Sequence, residues 1–172
     1  IYANAKGVLR KSPEELKELR RRKLGIVYLG IESGDQVVLD RVKKGTTREK
    51  LVEACLRVKD AGMKLSVTVL LGIGGRERSK EHAVATGEIL TEVDPHYAGA
   101  LTLLLVPGTP LYEEYLRGEF QMPSPFELLE ELHLMLSHTE MHGLFTSNHA
   151  SNYLPLKVKM PEEKEEALRA IE

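Results

Sequence analysis

Five short sets of residues in this chain are unusually rich in glycine, proline, hydroxyls and amides. They are Asn4; Glu32-Ser33-Gly34; Gly72-Ile73-Gly74-Gly75-Arg76-Glu77; Pro107-Gly108-Thr109-Pro110; and Ser147-Asn148-His149-Ala150-Ser151-Asn152. The glycine run suits close backbone approach by a ligand or a tight turn. It is not a dinucleotide fingerprint, because the last glycine of G-x-G-x-x-G is missing. Plainer readings stand beside each set: Glu32-Ser33 as a helix cap, Gly34 as a turn, Pro107 to Pro110 as a rigid corner. The run from Ser147 to Asn152 holds more polar side chains than a turn needs. The remaining reactive types carry less. His138 and His142 are four apart, but no H-E-x-x-H motif accompanies them, and Gly143 is expected to end their helix. Cys55 lies on an apolar helix stripe and reads as a small core residue. Lys43-Lys44-Gly45 reads as a solvated helix end that the helix dipole favours.

All five sets follow apolar runs of strand length. The expected strands are Ile1–Ala3, Ile26–Ile31, Leu65–Leu71, Ala98–Val106 and Leu144–Thr146. Amphipathic stretches separate them, an order that marks βα units and a parallel sheet. Ser12-Pro13-Glu14-Glu15 and Ser124-Pro125-Phe126-Glu127 open helices with an N-cap serine, a proline and a glutamate. Thr46-Thr47-Arg48-Glu49 reads as another capping box, with Gly62 at that helix's C-terminal end. A helix after Ser79 is stopped by Asp94-Pro95, and a last, mostly polar one starts near Pro161. Parallel βα folds build their sites at the C-terminal ends of strands. The opposite ends, such as Arg22–Gly25 and Asp60–Met63, look like plain connections. That asymmetry points to a ligand site.

With 172 residues the chain fits one domain, residues 1–172, with a terminal helical extension over about 156–172. A composition 42% hydrophobic and 29% charged is that of a soluble globular protein. The net charge of −2 argues against a dedicated nucleic-acid surface, and no apolar run is long enough to span a membrane. The single cysteine allows no internal disulfide and favours a reducing, cytoplasmic setting. Ile1 opens the chain as if inside a strand already under way, which reads as a fragment or a processed piece.

At the same residues the chain resembles radical S-adenosylmethionine (radical SAM) proteins, from Ile1 to about Pro161. Tyr28-Leu29-Gly30-Ile31-Glu32-Ser33-Gly34, then Val38-Leu39 and Lys43-Lys44-Gly45-Thr46-Thr47, is similar to the family's fourth strand and its helix. Val67 to Gly75 with Glu77 resembles its fifth-strand, adenine-contacting segment. Leu103 to Pro110 resembles its sixth strand with a Pro-Gly-Thr-Pro ending. Ser147 to Pro155 is similar to a stretch found in a branch of Fe-S oxidoreductase-like members. The resemblance implies an α/β fold, a parallel (β/α) partial TIM barrel truncated at its N-terminal side.

It also implies that S-adenosylmethionine and a 4Fe-4S cluster serve the full-length parent, whose C-x-x-x-C-x-x-C loop would lie upstream of Ile1. That cluster would generate a 5′-deoxyadenosyl radical, and this chain by itself would hold no cluster and no catalytic residue. Carried over by position, Glu32 and Ser33 would bond the ribose or amino acid part of the cofactor. Lys44 would reach its carboxylate, Thr68 would make a polar contact to the cofactor, and Leu71, Gly72, Ile73, Gly74 and Gly75 would pack against adenine and offer backbone groups to its edge. Asn4, Asn148, His149 and Asn152 would face an unknown small-molecule or macromolecular substrate. Two other readings stay open: a non-catalytic nucleotide- or subunit-binding module, and a different TIM-barrel family that binds phosphate at Gly72–Gly75. The uncovered edge at Ile1–Ala3 predicts self-association or a partner that supplies the missing strands.

Overall fold

The computed structural model describes residues 1–172. Its chain order is β1 (Tyr2–Ala3), α1 (Ala5–Leu9), α2 (Pro13–Arg21), β2 (Ile26–Glu32), α3 (Gln36–Arg41), α4 (Arg48–Asp60), β3 (Lys64–Leu71), α5 (Gly75–Val93), β4 (Tyr97–Thr102), α6 (Pro110–Leu116), α7 (Pro125–Ser137), β5 (Gly143–Thr146), β6 (Lys157–Met160) and α8 (Lys164–Ile171). The strands form one sheet in sequence order, parallel from β1 to β5, with β6 antiparallel on the end. The sheet is not closed. It is an α/β partial barrel, as expected, with one strand more than the five expected. Lys157-Val158-Lys159-Met160 alternates in and out as a one-faced strand does, and its lysines disguise it in an apolar scan.

Helix ends follow local chemistry. Ser12 and Ser124 both make reciprocal capping boxes, with Glu15 and Glu127. The start of α4 differs from expectation: Thr47 is the cap and accepts from the Lys50 N–H, so the third position is lysine and no reciprocal box forms. Gly62 takes φ +79° just past α4, where a residue with a Cβ would be strained. The helix expected after Ser79 starts earlier, at Gly75, with a kink at Arg78, and Asp94 ends it in the left-handed conformation. Gly143 opens β5 rather than closing a helix; α7 ends at Ser137 with His138 as its cap. The short helices α1 and α6 were not anticipated. β4 stops at Thr102, the Leu103 N–H keeps one bond to the Leu71 carbonyl, and beyond it Leu104 and Val106 are exposed. β5 pairs with β4 only as far as Gly99, so the later residues have no neighbouring strand on that side.

The core lies on one face of the sheet. Val27, Leu29 and Ile31 of β2, Leu65, Val67, Val69 and Leu71 of β3, and Ala98 and Ala100 of β4 are buried beneath α4, α5 and α7 together with Leu51, Cys55, Leu90, Leu132 and Met135. The other parity of each strand faces a surface that no helix covers. Register aligns two rows across that open face. One is Tyr2, Tyr28, Ser66, Tyr97, Leu144 and Lys159; the other, nearer the strand C-termini, is Gly30, Thr68, Gly99 and Thr146. No helix is long and apolar enough to cross a membrane.

Candidate cofactor site

The second row is a shallow floor of glycines and threonines, and Glu32 stands at its rim. β2 and β3 lose register between Gly30 and Glu32, and Glu32 adopts φ +66°. A non-glycine residue in that region costs roughly 1 kcal/mol. Such strain persists only where surrounding structure imposes it, often at ligand sites. The twist turns the Glu32 carboxylate back over Gly30: a Cβ built on Gly30 would lie 2.3 Å from Glu32 Oε1 and 3.3 Å from Lys44 Nζ. Lys44 Nζ donates to Glu32 Oε1 at 2.9 Å, with both side chains about a fifth to a quarter exposed. A carboxylate and an ammonium therefore sit together at the edge of a floor made only of glycines and threonines.

The other expected residues fall into two groups. Thr68 is half-buried on the floor, next to Gly30 in register. Ser33 is fully buried and faces the helix layer: its Oγ lies 2.8 Å from His82 Nδ1 and accepts from the Asp35 N–H. Gly72 and Gly75 have φ +81° and +66° and make a tight turn in which the Gly75 N–H donates to the Gly72 carbonyl. Ile73 in that turn is buried. Gly74 has an ordinary helical φ, and the room it leaves is taken by α5: a Cβ there would meet the Arg78 carbonyl oxygen and His82 Cβ, each at 3.1 Å. Glu77 pairs with Arg41, which also bonds Glu114 and lies over the Phe120 ring, tying α3, α5 and α6 together.

Asn4 caps α1 by accepting from the Gly7 N–H. Asn152 is occupied by the fold: its Nδ2 donates to the Ala100 and Ser147 carbonyls, and its Oδ1 accepts from Thr102 Oγ1. Ser151 Oγ accepts the Thr102 N–H. These two side chains stand in for the strand pairing that β4 lacks beyond β5, which accounts for much of the polarity of 147–152. Asn148 and His149 remain exposed, His149 Nδ1 being 2.8 Å from Ser151 Oγ.

Four residues behind the site were not anticipated: Ser79, His82 and Thr86 on α5, and Glu131 on α7. Glu131 is 2% exposed and accepts from the Gly72 N–H at 2.6 Å and from Ser79 Oγ. Burial pushes its carboxyl up to about 7. His82 is fully buried, and burial pushes its ring down to about 4. Its Nε2 lies 3.0 Å from the Leu70 carbonyl, which can only accept, so Nε2 carries the proton and Nδ1 accepts. The 3.6 Å approach of His82 Nε2 to Glu131 Oε1 is thus no ion pair, since burial favours the neutral form of both groups. The signal was in the sequence as polar residues on apolar helix faces: Glu131 beside Leu128, Leu132 and Met135, and His82 and Thr86 among Ala83, Ile89 and Leu90.

A family model described as the radical SAM superfamily matches residues 1–90, more than half of the chain. The chain belongs to the radical SAM superfamily. Among relatives of this radical SAM chain, the tRNA uridine(34) acetyltransferase of Methanocaldococcus infernus is 29% identical over 121 residues, covering 69% of this chain and 22% of that protein. The heme chaperone HemW of Bacillus subtilis is 20% identical over 135 residues, 77% of this chain and 35% of that protein. The solved structure of M. infernus Elp3 with an N-terminal deletion superposes with a TM-score of 0.65 at 26% identity, over 80% of this chain and 32% of that one. Methylornithine synthase gives 0.54 at 17% identity, over 98% and 56%, a likeness of fold. The radical SAM chain thus spans about a fifth of the acetyltransferase and a third of the solved Elp3 chain.

Full-length radical SAM members use S-adenosylmethionine and a 4Fe-4S cluster. The side chains of this segment do not fit the cluster. Cys55 is its one thiol, fully buried and pushed by desolvation up to about 12, and no three His, Cys, Asp or Glu groups converge to hold a metal.

Proposed function

We propose that the floor and rim of the open face, Gly30, Glu32, Lys44 and Thr68, bind S-adenosylmethionine in a radical SAM enzyme of which this chain forms part of the barrel. The observation that carries this is Glu32: a strained residue at a bulged strand end, its carboxylate held by Lys44 beside a floor of glycines and threonines. The donor set suits the cofactor's ends. A carboxylate accepts from ribose hydroxyls and an ammonium reaches a carboxylate, while Gly99, where an added Cβ would meet nothing nearer than 3.8 Å, gives a flat or bulky group room to approach. When bound, the cofactor supplies the 5′-deoxyadenosyl group that acts on the substrate. The chain's own part is to hold and orient it: Lys44 keeps Glu32 in place, and the turn at Gly72–Gly75 shapes the neighbouring end of β3. Ser33, its hydroxyl committed to His82, contributes to the shape of the rim.

In the full-length protein, Glu32→Ala is expected to weaken binding of S-adenosylhomocysteine by about tenfold or more, the worth of a charged hydrogen bond. The melting temperature should hardly move, since the Glu32–Lys44 pair is partly solvated and contributes little to stability. Isothermal titration beside a thermal melt checks both. Unchanged affinity with a much lower melting temperature would make Glu32 a structural cap.

A tRNA substrate is the second reading, prompted by the acetyltransferase relative. Residues 6–23 favour it, with eight Lys and Arg against three Glu, a net of +5 in a chain whose net charge is −2. All eight basic residues are exposed. Reversing Lys6, Arg10 and Lys11 to Glu should weaken tRNA retention by the full-length protein and flatten its salt dependence, because phosphate contacts release counterions. Retention indifferent to that change would remove this reading.

A further inference from the structure

The two backbone segments that flank the proposed site are fastened from behind by one buried polar network. At the end of β2, Ser33 Oγ donates to His82 Nδ1, and the Gly34 N–H donates to Thr86 Oγ1. At the end of β3, His82 Nε2 donates to the Leu70 carbonyl, and the Gly72 N–H donates to Glu131 Oε1. Ser79 Oγ donates to the other Glu131 oxygen. His82, Thr86 and Ser79 lie on α5 and Glu131 on α7, all on the side away from the open face. Every buried polar side chain finds a partner.

A packed core has no need of this network. Apolar residues at these helix positions would bury as well and avoid the desolvation cost of a carboxyl and an imidazole. What the polar groups add is direction. A backbone N–H or carbonyl at a strand end, beyond the last ladder bond, can be aimed by a fixed side-chain partner and not by apolar contact. Gly72 is the case in point: it has a left-handed φ and no side chain, and its N–H is held by the Glu131 carboxyl group.

We infer that Glu131 and His82 are positioning residues: from behind the sheet they hold Gly72 and the Ser33–Gly34 corner in the geometry with which the open face meets its cofactor. This rests on the proposed function for the identity of the ligand; the fastening of the loops does not.

The test uses the full-length protein, S-adenosylhomocysteine titration and amide hydrogen exchange over 71–76. Glu131→Leu removes the acceptor for Gly72. It is expected to raise exchange across 71–76 and to weaken S-adenosylhomocysteine about tenfold. Glu131→Gln keeps an oxygen for Gly72 and an amide for Ser79, and should leave both readings within about threefold of the wild type. A residue that only stabilises the fold would change the melting temperature in both variants without this split. Should Glu131→Leu fail to fold, Ser79→Ala, which frees one Glu131 oxygen, is expected to raise exchange at 71–76 while leaving the strands protected. Exchange at 71–76 unaltered in the folded variant overturns the inference. If the wild type does not bind S-adenosylhomocysteine while 71–76 still responds, the cofactor reading falls and the positioning role stands.

Discussion

Gly34→Ala is expected to destabilise the chain by about 3 kcal/mol, the upper part of the range for overpacking a closed site. A Cβ at Gly34 would lie 2.0 Å from the Ala85 carbonyl oxygen and 2.8 Å from the Thr86 N. Both are backbone atoms of α5, so no side chain can swing aside. The Gly34 N–H also bonds Thr86 Oγ1 at 3.0 Å, which holds the two segments together. To admit a methyl group, α5 must retreat from the end of β2 and carry His82 with it. For a chain of this size the loss corresponds to a fall in melting temperature of about 10 °C. Gly25→Ala is the control: nothing lies within 4 Å of the added carbon, and its melt should match the wild type closely. Matching melts for Gly34→Ala and the wild type would mean that α5 does not pack against Gly34 as described.

The second large effect is in pH. The Glu131 carboxyl is raised from 4.5 to about 7, chiefly by desolvation and against the bonds from Ser79 and Gly72. The folded state therefore keeps a proton that the unfolded chain has lost. Stability from this source is complete below about pH 4.5, falls as pH rises, and is gone above about pH 7. The loss across that window is about 3 kcal/mol. His82 acts in the opposite sense. Lowered from 6.5 to about 4, it contributes stability that is complete above about pH 6.5 and lost as pH falls towards 4. Where the windows overlap the slopes offset, and the wild type looks nearly indifferent to pH for the wrong reason. Glu131→Gln removes one slope alone. The stability of this variant relative to the wild type, from urea midpoints, should climb by about 3 kcal/mol between pH 4.5 and 7 and stay flat outside that window. A difference independent of pH would show that Glu131 titrates like an exposed carboxylate.

The proposed cofactor residues and the buried network are different residues on neighbouring ends of β2 and β3: Glu32 precedes Ser33 in the chain, and Thr68 lies in the strand that ends at Leu71. Glu32 carries backbone strain at the rim, and Gly72 and Gly34 are glycines with backbone or helix close against them. Positions of this kind depend on neighbours to keep their shape, and the neighbours here are Lys44 in front and His82, Thr86 and Glu131 behind.

Features set by local periodicity and end chemistry were legible in the residues alone. Alternating and continuous apolar runs announced β2, β3 and β5, and the helical spacing between them required parallel crossovers. Ser12 and Ser124 marked their helix starts to the residue. The glycine- and hydroxyl-rich strand ends pointed to one end of the sheet as the place for a site, and motif order pointed to the superfamily. Which side each of those residues serves was settled only by tertiary packing. Ser33, Gly74 and Asn152 read from the sequence as ligand-facing, yet their environments are set by His82, Arg78 and Ala100, and two of those three partners lie about fifty residues away. A period of two or 3.6 reports which residues are buried and not what they meet there. The ends of β4 and the existence of β6 escaped for the same reason. Whether a strand continues depends on a neighbour's length, and an antiparallel edge strand bearing lysines looks polar until the sheet that hides its other face is in place.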